Sequence, residues 1–114
     1  MYILALETTG PVGSCAIIQE DGQVTMEVSS AEMNHLKDLM PMAQKLIDKL
    51  ELNKKDMTAV AASVGPGSFT GIRIGVSTAR AISQALDIPA IGVPTLDAFK
   101  LKKDGVTIIV PIFN

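Results

Sequence analysis

The chain has 114 residues, a formal net charge of −2 and 47% apolar residues, of which only one Tyr and three Phe are aromatic. That is one domain's worth of chain, with a core that must be built from Ile, Val, Leu, Met and Ala. Acids and bases are interspersed, which excludes a self-sufficient nucleic-acid binder, because phosphate neutralisation needs a concentrated basic face.

Tyr2 to Leu6 is an unbroken apolar run, as expected of a strand covered on both faces. Gly10-Pro11 ends it, and Val12 to Ile18 is a second predicted strand. Asp21-Gly22 is a hairpin signal, followed by a half-exposed strand from Val24 to Val28. The period then changes: Leu36, Leu39, Met40, Ala43, Leu46, Ile47 and Leu50 share one face at helical spacing. Asn34 is placed to cap this helix, Pro41 to kink it, and Asn53 to Asp56 to close it. Thr58 to Val64 is strand-like, Gly65 to Gly71 is a tight loop, and a second helix is predicted from about Gly71 to Asp87. A buried strand at Pro89–Val93, a short helix at Thr95–Lys103 and an apolar strand at Val106–Ile112 complete the order βββ-α-β-α-β-α-β. The class is α/β, a mixed sheet with helices packed on it and right-handed crossovers. Lys103-Asp104-Gly105 marks the best boundary, so that residues 1–103 form one lobe and 104–114 the start of a second, cut short.

The N-terminal residues Met1 to Glu7 have no basic n-region, and no segment is long enough to span a bilayer. Cys15 is the only cysteine, so no intrachain disulfide is expected, and a cytoplasmic location is the default. Cys15 lies in an apolar strand and is read as a buried inert thiol rather than the partner of His35 in a nucleophilic pair. His35 is the only histidine, without the neighbours that a metal site needs. Lys100, Lys102 and Lys103 form the only basic cluster, read as a solvated helix end.

Three segments carry the functional signal. Gly65-Pro66-Gly67-Ser68-Phe69-Thr70-Gly71 joins a strand to a helix. It reads either as a tight turn with packing glycines or as backbone N–H groups holding an anion, with Ser68 or Thr70 as the cap. It lacks Gly-Lys-Ser/Thr and is no Walker-type loop. Glu7-Thr8-Thr9 ends the first strand, either as a solvated strand end or as a carboxylate and hydroxyls facing a phosphate–magnesium group. In the second helix the polar residues form one narrow stripe through Arg73, Ser77, Arg80, Gln84 and Asp87. Gly71, Gly75 and Ala79 leave a smooth strip that suits the close approach of a facing helix or subunit.

The strings Ile3-Leu4-Ala5-Leu6-Glu7-Thr8-Thr9, His35-Leu36-x-x-Leu39-Met40-Pro41 and Gly65-Pro66-Gly67-Ser68-Phe69-Thr70-Gly71-Ile72-Arg73 resemble the TsaB (YeaZ) family. Val110-Pro111-Ile112 resembles the start of that family's second lobe. The resemblance implies an actin-like, ribonuclease H-like lobe and a non-catalytic scaffold or activator in tRNA threonylcarbamoyladenosine (t6A) synthesis. It implies a homodimer in isolation, partners TsaD and TsaE, and contact with tRNA only through the complex. Pairing is expected through the two helices, at His35, Leu36, Leu39, Met42, Gly71, Ile74, Gly75, Thr78, Ala79 and Ile82. The alternative is the nucleotide-binding half of an actin-like ATPase or kinase, with ATP or ADP at Glu7, Thr8, Gly65, Gly67, Ser68 and Thr70. By position, the metal pair of the catalytic paralogue TsaD falls on Thr95 and Phe99, which implies no metal here. The family's usual acid in the first motif is Asp, where this chain has Glu7. An older glycoprotease label attaches to the family, and this chain shows no protease constellation.

Overall fold

The computed structural model describes residues 1–10, 12–29, 35–94 and 110–111. The predicted Asn34 cap and the predicted helix at Thr95–Lys103 therefore lie outside the described residues. Strands β1 (Tyr2–Glu7), β2 (Ser14–Gln19) and β3 (Val24–Val28) form the meander. Helix α1 (His35–Lys49), β4 (Ala59–Ser63), α2 (Phe69–Leu86), β5 (Ala90–Val93) and β6 (Val110–Pro111) follow. The sheet order is β3-β2-β1-β4-β5-β6. The pairs β1–β2 and β2–β3 are antiparallel, β1–β4 and β4–β5 parallel, and β5–β6 antiparallel. This is the mixed βββαβαβ sheet expected from the sequence. Val110–Pro111, in the stretch expected to open a second lobe, forms an edge of this sheet.

Local chemistry explains where the elements stop. Asp21 accepts from the Gln23 N–H in the β2–β3 turn, where Gly22 takes a positive φ. Asn53 to Asp56 is not the tail of α1 but a separate 3-10 turn, held by a reciprocal capping box between Asn53 and Asp56. α2 starts one residue after its cap Ser68 and ends at Asp87 in a left-handed conformation. α1 continues helically through Pro41.

Strand register sorts the side chains into two faces. Leu4 stands beside Ile17 and Val60, and Leu6 beside Cys15 and Ala62, all buried. Both helices cover this face. Leu39, Met42, Ala43, Leu46 and Ile47 come from α1, and Ala79 and Ile82 from α2. Glu27 of β3 also lies on this side, where Lys45 of α1 meets it at 3.5 Å. The opposite face carries Ile3, Ala5, Ile18, Met26, Ala61, Ile91 and Val93 around a cavity of about 520 Å³, and no described element covers it. Met26, Val24 and Val28 on edge strand β3 are more than half exposed. Among the described residues no helix is long and apolar enough to cross a membrane.

Leu46 is fully buried at the centre of the helix–sheet contact. Leu46→Ala is expected to destabilise the fold by about 2–5 kcal/mol, through lost apolar burial and the cavity left behind. Urea denaturation followed by circular dichroism measures this, and a shift below that range would show that α1 closes onto the gap.

Candidate functional site

The two motifs singled out in the sequence meet at one end of the sheet. β1 runs out at Glu7, and Thr8 and Thr9 turn directly beneath the loop that leads into α2. The Thr8 side chain is only 1% exposed. Its hydroxyl donates to the Gly71 carbonyl at 2.5 Å, across sixty-three residues of sequence. The Ser68 N–H donates to the Thr9 carbonyl at 2.8 Å, so the loop is tied to the turn through main chain as well.

Glycine is required where these segments touch. A Cβ on Gly71 would lie 1.8 Å from the Thr8 carbonyl oxygen. One on Gly75 would lie 2.6 Å from Thr8 Oγ1, and one on Gly67 2.7 Å from Thr9 Cβ. Gly65 has φ +109°, in the region open to glycine. The strip Gly71-Gly75-Ala79 is thus turned inward, against Thr8, Ala62 and the sheet, and not outward to a partner helix as expected. Its smallness allows α2 to lie close to its own strands.

Glu7 is held just as fully. One carboxylate oxygen accepts from the Thr9 N–H at 2.7 Å and from the Thr9 hydroxyl at 2.5 Å. The other accepts from the Ser63 hydroxyl at the end of β4. Ser63 was missed in the sequence, where it is one small polar residue closing an apolar strand; only the β1–β4 register brings it beside Glu7. Of the two candidate caps, Ser68 is the one used, accepting from the Gly71 N–H at 3.1 Å.

Glu7, Thr8, Gly65, Gly67 and Ser68 are brought together in this clasp, whereas Thr70 is exposed on the first turn of α2. Among the expected interface residues Leu39, Met42, Gly71, Gly75, Ala79 and Ile82 are buried in the fold, and Ile74 and Thr78 are half-buried. Their burial is the reason the inward ones cannot meet a partner directly. His35 and Leu36 begin α1, and their side chains, like Thr95 and Phe99, lie outside the described residues. What α2 presents to solvent instead is Phe69, 73% exposed, with the Arg73 guanidinium 5.7 Å from its ring centroid. Between α1 and α2 runs an apolar groove of about 150 Å³, lined among others by Met40, Ala43, Ile47, Ala85 and Leu86.

Residues 26–110 match the family model described as TsaD, tRNA N6-adenosine threonylcarbamoyltransferase. The chain belongs to this family. Several curated relatives carry the TsaB name, in agreement with the resemblance of the motifs. The chain is 32% identical over 117 residues to the tRNA threonylcarbamoyladenosine biosynthesis protein TsaB of Bacillus subtilis, covering 100% of this chain and 50% of that protein. It is 35% identical over 96 residues to the Escherichia coli protein of the same name, covering 84% and 41%. The chain therefore spans about half the length of the relatives it matches. The solved structure of YeaZ from Pseudomonas aeruginosa superposes with a TM-score of 0.79 at 28% identity, over 91% of this chain and 50% of that one. RuvC of T. thermophilus, at TM-score 0.59 and 6% identity over 91% of this chain and 71% of its own, shares the fold alone.

Cys15 is 2% exposed, and burial first, then the nearby Glu27 carboxylate, raise its thiol from 9.0 to about 11. The folded state then holds the proton over a pH range where the unfolded chain releases it. The resulting stability is fully present below pH 9.0 and is lost as pH rises toward about 11. Iodoacetamide at neutral pH is expected to label Cys15 only after denaturation; labelling of the native protein would contradict this burial. Gly71→Ala is expected to cost at least about 1–3 kcal/mol through overpacking against Thr8. The exposed Ser77→Ala should stay within about 0.5 kcal/mol. Thermal melts of the two variants compare them directly.

Proposed function

We propose that this chain is half of a non-catalytic scaffold or activator subunit of t6A synthesis, which pairs with the threonylcarbamoyltransferase TsaD through the face of α1 and α2. The observation that carries this reading is the apolar groove between the two helices, beside which Met40 is 53% exposed. Contiguous apolar surface of this kind marks interfaces, and methionine adapts to a partner's shape. The names of the curated relatives supply the pathway. The clasp supports the same reading, because Glu7, Thr8 and Ser68 spend their polar groups on Thr9, Ser63 and Gly71.

In this reading the protein works in the cytoplasm, TsaE joins the assembled pair, and tRNA meets the chain only through the complex. Self-association through the same face occurs in isolation and yields to TsaD. A specific pair of this type buries roughly 1,200–2,000 Å². The competing reading assigns a nucleotide phosphate to Glu7 and the Gly65–Gly71 loop.

Co-expression with TsaD and TsaE of the same organism, followed by affinity capture and a reconstituted tRNA-modification assay, tests the proposal. The chain is expected to be captured with TsaD and to stimulate t6A formation, and to show no ATPase, transferase or peptidase turnover alone. Failure of the native chain to engage TsaD at high concentration would remove the scaffold reading. ATP hydrolysis by the pure chain that vanishes in Glu7→Ala would replace it with the nucleotide reading.

A further inference from the structure

Phe69 is the most exposed large apolar side chain among the described residues. It stands one helical turn before Arg73, whose guanidinium lies over its ring. An aromatic ring left in water at the start of a helix gains little for the fold beyond this contact with Arg73. Aromatic and Arg side chains together are the composition of interface hot spots.

Beside the pair is a shallow pocket of about 310 Å³, lined among the described residues by Thr70, Arg73, Ile74, Ser77 and Thr78. Its polar character is one-sided. The lining offers three hydroxyls and a guanidinium around an apolar floor, Ile74. α2 contains Arg73 and Arg80 and no acid along its whole length. Among the described residues no carboxylate lies within ion-pair distance of Arg73. A guanidinium fork with hydroxyl donors alongside suits a carboxylate.

Resting on the scaffold reading, we infer that Phe69 and Arg73 form a docking point for an Asp or Glu side chain on the partner transferase, with the partner's apolar flank against the Phe69 ring. The pair sets which partner is accepted, by charge. A two-fold pairing of copies across α2 would set two arginine-bearing, acid-free helices against one another, so charge favours the heterologous partner. RNA phosphates come in series and need a ladder of cations, which two arginines on a chain of net charge −2 do not provide.

Isothermal titration of the whole chain with purified TsaD, at low and high salt, tests the inference. Circular dichroism establishes that each variant is folded. Arg73→Glu is expected to weaken association at least about tenfold, and Arg73→Lys less, because an ammonium cannot fork. Phe69→Ala is expected to weaken it by a similar factor. The native chain should lose affinity as salt rises, and Arg73→Glu should not. Lys55→Glu, the same charge change at the opposite end of β4, is the control and should bind as the native chain does. Native binding with Arg73→Glu equally tight would overturn this inference and leave the scaffold reading standing. No native binding at all would overturn both. Binding of the free chain to tRNA that Arg73→Glu abolishes would assign the pocket to phosphate and also overturn the inference.

Discussion

The buried hydrogen bond from the Thr8 hydroxyl to the Gly71 carbonyl sets the spacing on which the rest of the molecule depends. A hydroxyl with 1% exposure must find an acceptor, and the acceptor here is backbone at the first turn of a helix. For that carbonyl to come within reach, the helix must lie almost on the end of β1. Only a residue without a Cβ fits at 71, and a Cβ at Gly75 would crowd the hydroxyl of the same Thr8. Once α2 is seated there, its later turns reach Val60, Ala62 and Ala90 with Ala79 and Ile82, and α1 fills the remaining half of the face.

Glu7 works beside this clasp as a staple. Its two oxygens draw together the Thr8–Thr9 turn and the end of β4 through Thr9 and Ser63. A carboxylate so placed lowers the freedom of the strand end and holds the loop against α2. The acid at the strand end and the loop before the helix are both bonded within the fold, Glu7 to Thr9 and Ser63, and Ser68 to Thr9 and Gly71.

The two faces of the sheet differ in consequence. Leu4, Leu6, Cys15, Ile17, Val60 and Ala62 are sealed by helices, while Ile3, Ala5, Ile18, Met26, Ala61 and Ile91 line an open cavity. Charge is also divided. α2 carries only positive charge, whereas Glu20, Asp21 and Glu27 lie along the β2–β3 hairpin. On the helical side Phe69 and Met40 are exposed.

Much of this was legible without coordinates, and the parts that were share a cause. The meander, the core stripe of α1 and the strand–loop–helix junction at Gly65–Gly71 are written in neighbouring residues, through hydrophobic period and turn chemistry. The unbroken apolar run Tyr2 to Leu6 suggests a strand covered on both faces, but among the described residues the helices cover only the Leu4 and Leu6 side, and Ile3 and Ala5 line the open cavity. The glycine strip shows a similar limit, since small residues permit close approach without naming what approaches. Ser63 gave no local signal, since its role exists only once parallel pairing sets it next to Glu7. Sequence by itself determined the order of elements, the motifs and the family resemblance, all short-range or pattern properties. Tertiary structure alone decided that Thr8 and Gly71 interlock, that Glu7 is satisfied from two strands, and that Phe69 and Arg73 face outward, because each depends on contacts or exposure set by segments far apart in the chain.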